Sequence, residues 1–158
     1  DKALNLNVAG GEDIRLYSKN QPNYLTKLID SFLPGPLTII LQANDKVPGW
    51  IHSGLDTVGF RIPAHPKTLD LIRKFGPLVG PSANLSGHAS GTKYRAIVSE
   101  FDQVVPGIED DDFLTGQDST ILDISSSKSR ILRQGSITKA DLLAQVPELS
   151  FEEDELPQ

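Results

Sequence analysis

One segment constrains the fold more than any other. Leu37-Thr38-Ile39-Ile40-Leu41-Gln42 is an almost unbroken apolar run. Such a run suits a strand covered on both faces, as in the middle of a layered sheet. The residues before it have a different period. Leu25, Leu28, Ile29 and Phe32 recur at helical spacing, with Pro22 near the first turn. Pro34-Gly35-Pro36 then ends the helix. A helix followed by a buried strand predicts a layered α/β arrangement.

The same alternation runs through the chain. Strands are predicted at Asn5–Val8, Leu37–Gln42, Thr57–Ile62, Leu78-Val79, Ser119–Ile124 and Arg130–Arg133. Helices are predicted at Glu12–Ser18, Pro22–Phe32, Pro66–Phe75 and Lys93–Phe101, and from Thr138 through Gln145. Thr138 is placed as an N-cap, with Asp141 three residues on as its capping-box partner. A loop over Gly80–Thr92 follows the short buried strand. With 158 residues, no internal repeat and no low-complexity linker, the chain reads as one α/β domain around a mostly buried sheet. Its last stretch, 148–158, reads as an acidic tail carrying Glu152, Glu153, Asp154 and Glu155.

Composition narrows the functions. The chain has no cysteine, which removes disulfides, thiolate nucleophiles and zinc–thiolate sites and fits a cytoplasmic protein. No apolar stretch has the length of a membrane span. Leu4-Asn5-Leu6-Asn7-Val8 lacks the basic flank, length and cleavage site of a signal peptide. A net charge of −6 is unsuited to nonspecific duplex binding, which draws on many lysine and arginine contacts to phosphate. His52, His65 and His88 are scattered and read as surface or loop residues. Neither metal-ligand spacing nor a Gly-x-Ser-x-Gly elbow is present. The expected chemistry is the binding and orienting of an anionic substrate, with no metal ligands and no covalent nucleophile assigned.

Five clusters of glycine, proline, hydroxyls and arginine lie at predicted strand ends, where open α/β sheets bind ligands. Pro34-Gly35-Pro36-Leu37-Thr38 presents Thr38 at a strand start; it also reads as a plain helix-to-strand turn. In Gly59-Phe60-Arg61-Ile62-Pro63, Arg61 interrupts an apolar strand. Its charge needs either an anionic ligand or a structural carboxylate. Gly80-Pro81-Ser82-Ala83-Asn84-Leu85-Ser86-Gly87, running on to Thr92, offers hydroxyls, an amide and backbone N–H groups suited to phosphate or carboxylate oxygens. Ser119-Thr120-Ile121-Leu122-Asp123 opens a strand with adjacent hydroxyls. Ile131-Leu132-Arg133-Gln134-Gly135 ends one with an arginine, whose guanidinium suits a carboxylate or phosphate fork.

In this order, the five clusters resemble the blocks of the YrdC family of threonylcarbamoyl-AMP synthases, over nearly the whole chain. The resemblance implies a twisted, open, mixed sheet flanked by helices with a concave ligand cleft, over residues 1–147. It implies formation of threonylcarbamoyl-AMP and pyrophosphate from L-threonine, bicarbonate and ATP, with Mg2+ carried by the ATP. The product would serve a downstream complex that places threonylcarbamoyl on adenosine in the tRNA anticodon loop. By the same resemblance, Thr38, Ser82, Asn84, Thr92 and Arg133 would bind ATP, and Arg61, Ser82 and Ser119 would bind threonine. Lys2-Ala3-Leu4 is similar to a family Lys-Pro-Leu that follows a Lys-x-Arg pair, so the domain is expected to be incomplete at its N-terminus. Asn7 stands where many members have histidine. Two other readings of the resemblance are a double-stranded RNA-binding module and the carbamoyl-transfer domain of hydrogenase maturation proteins.

Overall fold

The computed structural model describes residues 4–52, 55–81, 95–97 and 119–151. Among them, eight strands form one mixed sheet. These are β1 (Leu4–Asn7), β2 (Ser18–Lys19), β3 (Leu37–Ala43), β4 (Thr57–Arg61), β5 (Leu78–Pro81), β6 (Arg95–Ala96), β7 (Thr120–Asp123) and β8 (Arg130–Arg133). The helices are α1 (Gly11–Tyr17), α2 (Leu25–Phe32), α3 (Gly49–His52), α4 (Pro66–Phe75) and α5 (Lys139–Gln145). The strand order is β6-β5-β1-β4-β3-β7-β8, with β2 pairing β3 off this path. The sheet is open, as predicted.

Register separates the two faces, because paired residues share a side and successive residues alternate. Leu6 pairs with Phe60 and Val79, Phe60 with Ile39, and Ile39 with Leu122. All of these are buried in the main core. Ile14 of α1, Leu25 and Leu28 of α2, and Leu142 of α5 join them there. The alternate positions form the other face. Asn5 pairs with Gly59 and Gly80, Gly59 with Ile40, and Ile40 with Asp123. A smaller cluster of Ile72 from α4, Leu78 and Ala96 closes the β5–β6 side.

The predicted strands at 37–42, 57–62 and 130–133 and the helix at 66–75 are observed within a residue at each end. Two expectations change. The helix expected from Pro22 begins at Leu25, because Pro22 caps a preceding turn through Leu25 N–H to Pro22 O at 3.1 Å. Within the helix expected over 93–101, Arg95 and Ala96 are instead strand β6, paired with Val79 and Leu78. Pairing with an open sheet edge and burial of Ala96 override a weak helical pattern there. His65, read as a surface or loop residue, does lie outside a helix, where as the N-cap of α4 it accepts the Thr68 N–H at 3.2 Å. Beyond α5 the chain stays on the core: Leu149 is buried, and Phe151 bridges to Ser129. No helix among the described residues is long and apolar enough to cross a membrane.

The α5 capping box forms as expected. Thr138 N–H donates to the Asp141 carboxylate at 2.9 Å, and Asp141 N–H donates to Thr138 Oγ1 at 3.1 Å. The Thr138 backbone N–H, then its side chain, holds the Asp141 carboxyl below its ordinary value. A depressed folded value gives stabilisation that is present above the ordinary carboxylate range and lost as pH falls through the folded value. Thr138→Ala should cost about 1 kcal/mol in urea unfolding at neutral pH. The penalty of Asp141→Asn should shrink on acidification; a pH-independent penalty would contradict the box.

Candidate functional site

The site begins with a charge inside the sheet. Arg61 is the last residue of β4 and is only 3% exposed. β1 lies parallel beside it, with Asn7 in register with Arg61. The guanidinium Nη1 donates to Asn7 Oδ1 at 3.2 Å. The other end of that amide is fixed too, since Asn7 Nδ2 donates to the Leu78 carbonyl at 3.2 Å. A buried chain of hydrogen bonds thus runs from β4 through β1 to β5. A buried charge requires such compensation, and the amide supplies part of it without neutralising the charge.

On the other side of β4 lies β3, which presents Thr38 at its start. Thr38 pairs with Ile121 of β7, two residues beyond Ser119. Thr38 and Ser119 are each 1% exposed, and neither hydroxyl has a hydrogen-bond partner among the described residues. A buried hydroxyl without a partner costs roughly 1–3 kcal/mol, so it calls for an explanation. Two on adjacent strands, at the end of the sheet that holds Arg61, mark a candidate ligand-binding position.

The paired hydroxyls Ser119-Thr120 have separate roles. Thr120 pairs with Leu37 on the core side and is fully buried. Its Oγ1 accepts N–H groups from Gly135 at 2.8 Å and Ile137 at 3.2 Å, and donates to the Ile137 carbonyl at 2.5 Å. This hydroxyl fastens the segment after β8 to the start of β7. Arg133, at the end of β8, donates to the Ser119 carbonyl from Nη2 at 2.6 Å and Nε at 3.2 Å. Arg133 thereby anchors the backbone that carries the Ser119 hydroxyl.

Gly59 lets the face close up. A Cβ there would lie 2.6 Å from Asn5 Oδ1 and 3.0 Å from Thr38 Cγ2. Both contacts are too short for an ordinary Cβ, so glycine is what allows Asn5 and Thr38 to converge.

The structure therefore brings Thr38, Arg61, Ser119 and Arg133 to one end of the sheet. Ser82, Asn84 and Thr92 lie outside the described residues. Asn7, Asn5, Gly59 and Thr120 were not singled out from sequence as site residues. The alternation Leu4-Asn5-Leu6-Asn7 could have flagged two, since period two puts both asparagines on one face. Among the described residues, no group of three or more histidines and carboxylates could hold a metal.

An open mixed sheet with one apolar face and a polar face of buried amide, hydroxyl and guanidinium groups defines an α/β domain with a candidate ligand-binding face. The sequence profile of the Sua5/YciO/YrdC family, described as telomere recombination, matches residues 1–135. The chain belongs to this family. It is 34% identical to the threonylcarbamoyl-AMP synthase of Pyrococcus abyssi, over 87% of this chain and 41% of that protein. It is 35% identical to that of Bacillus subtilis, over 91% of this chain and 42% of that protein. The chain thus spans about two fifths of the length of these curated relatives. Two solved structures of P. abyssi Sua5 each match 96% of this chain and 45% of their own. A double variant matches at TM-score 0.74 and 31% identity, and the protein complexed with L-threonine at TM-score 0.69 and 27% identity.

The Thr120 knot predicts a chemistry-specific loss of stability. Thr120→Val removes the hydroxyl while keeping the shape, leaving the Gly135 and Ile137 N–H groups unpaired. It should cost roughly 3 kcal/mol in urea unfolding, whereas Thr120→Ser should recover most of the loss. Equal stability of the Val and Ser variants would remove the hydroxyl from this role.

Proposed function

We propose that this chain carries the substrate-binding domain of a threonylcarbamoyl-AMP synthase, which joins L-threonine, bicarbonate and ATP to give threonylcarbamoyl-AMP and pyrophosphate. The observation that carries the reading is the pair of buried, unpartnered hydroxyls, Thr38 and Ser119, at the end of the sheet that holds the Arg61 guanidinium. Such a surface suits a substrate with anionic and hydrogen-bonding groups. The relatives' names and the threonine complex of the P. abyssi protein support threonine and its activated carbamate as that substrate.

In this reading the threonine amine and bicarbonate form a carbamate with loss of water. A carbamate oxygen attacks the α-phosphorus of ATP, and pyrophosphate departs with the electrons of the broken P–O bond. The protein binds, orients and stabilises charge, which requires no covalent intermediate on the chain. Arg61 would face the substrate carboxylate or phosphates. Ser119, held by Arg133, would meet threonine together with Ser82. Thr38 would meet the nucleotide, with Ser82, Asn84, Thr92 and Arg133. Magnesium carried by ATP would share the charge on the leaving group. The product would pass, in the cytoplasm, to enzymes that place threonylcarbamoyl on tRNA.

Pyrophosphate release from ATP should depend on both L-threonine and bicarbonate, in this chain or in a longer one joined to the family's preceding Lys-x-Arg block. Ser119→Ala should leave stability unchanged or raised, because it deletes an unpaired buried hydroxyl, while lowering threonine affinity about three- to tenfold. Release that ignores threonine in both chains, with salt-sensitive RNA binding instead, would overturn the reading.

A further inference from the structure

Resting on that proposed function, the geometry points to Asn5 as an additional ligand-contacting residue: we propose that Asn5 and Thr38 together form a neutral subsite for an aliphatic hydroxyl of a bound substrate. The two side chains come from β1 and β3, which are not neighbours in the sheet. Both reach over β4 at Gly59, which places no side chain between them. Asn5 Oδ1 and Thr38 Cγ2 both lie within 3.0 Å of the point a Gly59 Cβ would occupy. On its other side Asn5 pairs with Gly80, again a residue without a side chain.

Asn5 is 6% exposed and Thr38 is 1% exposed. The Thr38 hydroxyl has no hydrogen-bond partner among the described residues. The two asparagines of β1 differ in kind. Asn7 is held at both ends of its amide, by Leu78 O and Arg61, while among the described residues the amide of Asn5 has no hydrogen-bond partner. An amide and a hydroxyl offer donors and acceptors without formal charge. That chemistry suits a hydroxyl, and it lies one pleat repeat along β4 from the charged group of Arg61. A substrate with an anionic group and a hydroxyl nearby would span both. Two hydroxyls of the proposed reaction qualify, that of the threonine side chain and those of the ATP ribose.

The test is a set of binding titrations on the 158-residue chain and on its Asn5→Leu and Thr38→Val variants. The ligands are L-threonine against L-2-aminobutyrate, and ATP against 2′-deoxy-ATP and 3′-deoxy-ATP. Removing the relevant hydroxyl should weaken binding to the unsubstituted chain by about three- to tenfold. That penalty should vanish in Asn5→Leu and in Thr38→Val, with the affected ligand pair identifying the source of the hydroxyl. If Asn5→Leu does not fold, Thr38→Val carries the same comparison. The same penalty in the variants as in the unsubstituted chain, or no penalty for either ligand, overturns the subsite while leaving the function reading intact. Binding of neither ATP nor threonine to the unsubstituted chain, nor to the longer chain joined to the preceding block, overturns both.

Discussion

A guanidinium buried among strands would ordinarily destabilise a domain of this size. Arg61 is tolerated because its neighbours are arranged around it. Asn7 on β1 accepts one N–H, and the same amide is braced by the Leu78 carbonyl of β5. The parallel pairing of β1 with β4 and the antiparallel pairing with β5 fix this arrangement. The bracing leaves the positive charge in place. A low-dielectric setting strengthens the attraction of such a charge for an anion, and in the proposed function the strand order that compensates the burial would also hold an anionic group of the substrate.

The two faces of the sheet divide the labour. Leu6, Phe60, Ile39 and Leu122 bury one face against α1, α2 and α5. That apolar layer supplies the stabilisation against which hydroxyls unpaired among the described residues, at Thr38 and Ser119, can be maintained. Thr120 and Arg133 belong to this supporting system. They fasten β7, β8 and the following turn so that Ser119 is held from its own carbonyl. Rigid support of this kind is what the proposed positional catalysis would require.

The fold was largely readable because periodicity carried it. The apolar run at Leu37–Gln42 and the helical spacing of Leu25, Leu28, Ile29 and Phe32 each named their element. The Thr138–Asp141 capping box was readable down to its two bonds. Elements too short to show a period were missed, namely β2 with two residues and α3 with four. Arg95-Ala96 was misread because its strand character comes from pairing with β5, not from local propensity. In the site, Thr38, Arg61, Ser119 and Arg133 were legible as polar residues at strand ends. Asn7 was not, because its bond to Arg61 joins residues 54 positions apart through a strand order that does not follow the sequence. Thr120 looked equivalent to Ser119, and only the register that turns it toward the core separates them.

The account stands on the polar face of the sheet being the substrate face. A crystal structure of the chain soaked with L-threonine and a non-hydrolysable ATP analogue addresses this directly. The account predicts ligand density within hydrogen-bond reach of the Thr38 and Ser119 hydroxyls, with an anionic group on the Arg61 guanidinium. Ligand density confined to another surface, with both hydroxyls still unpaired, would contradict it.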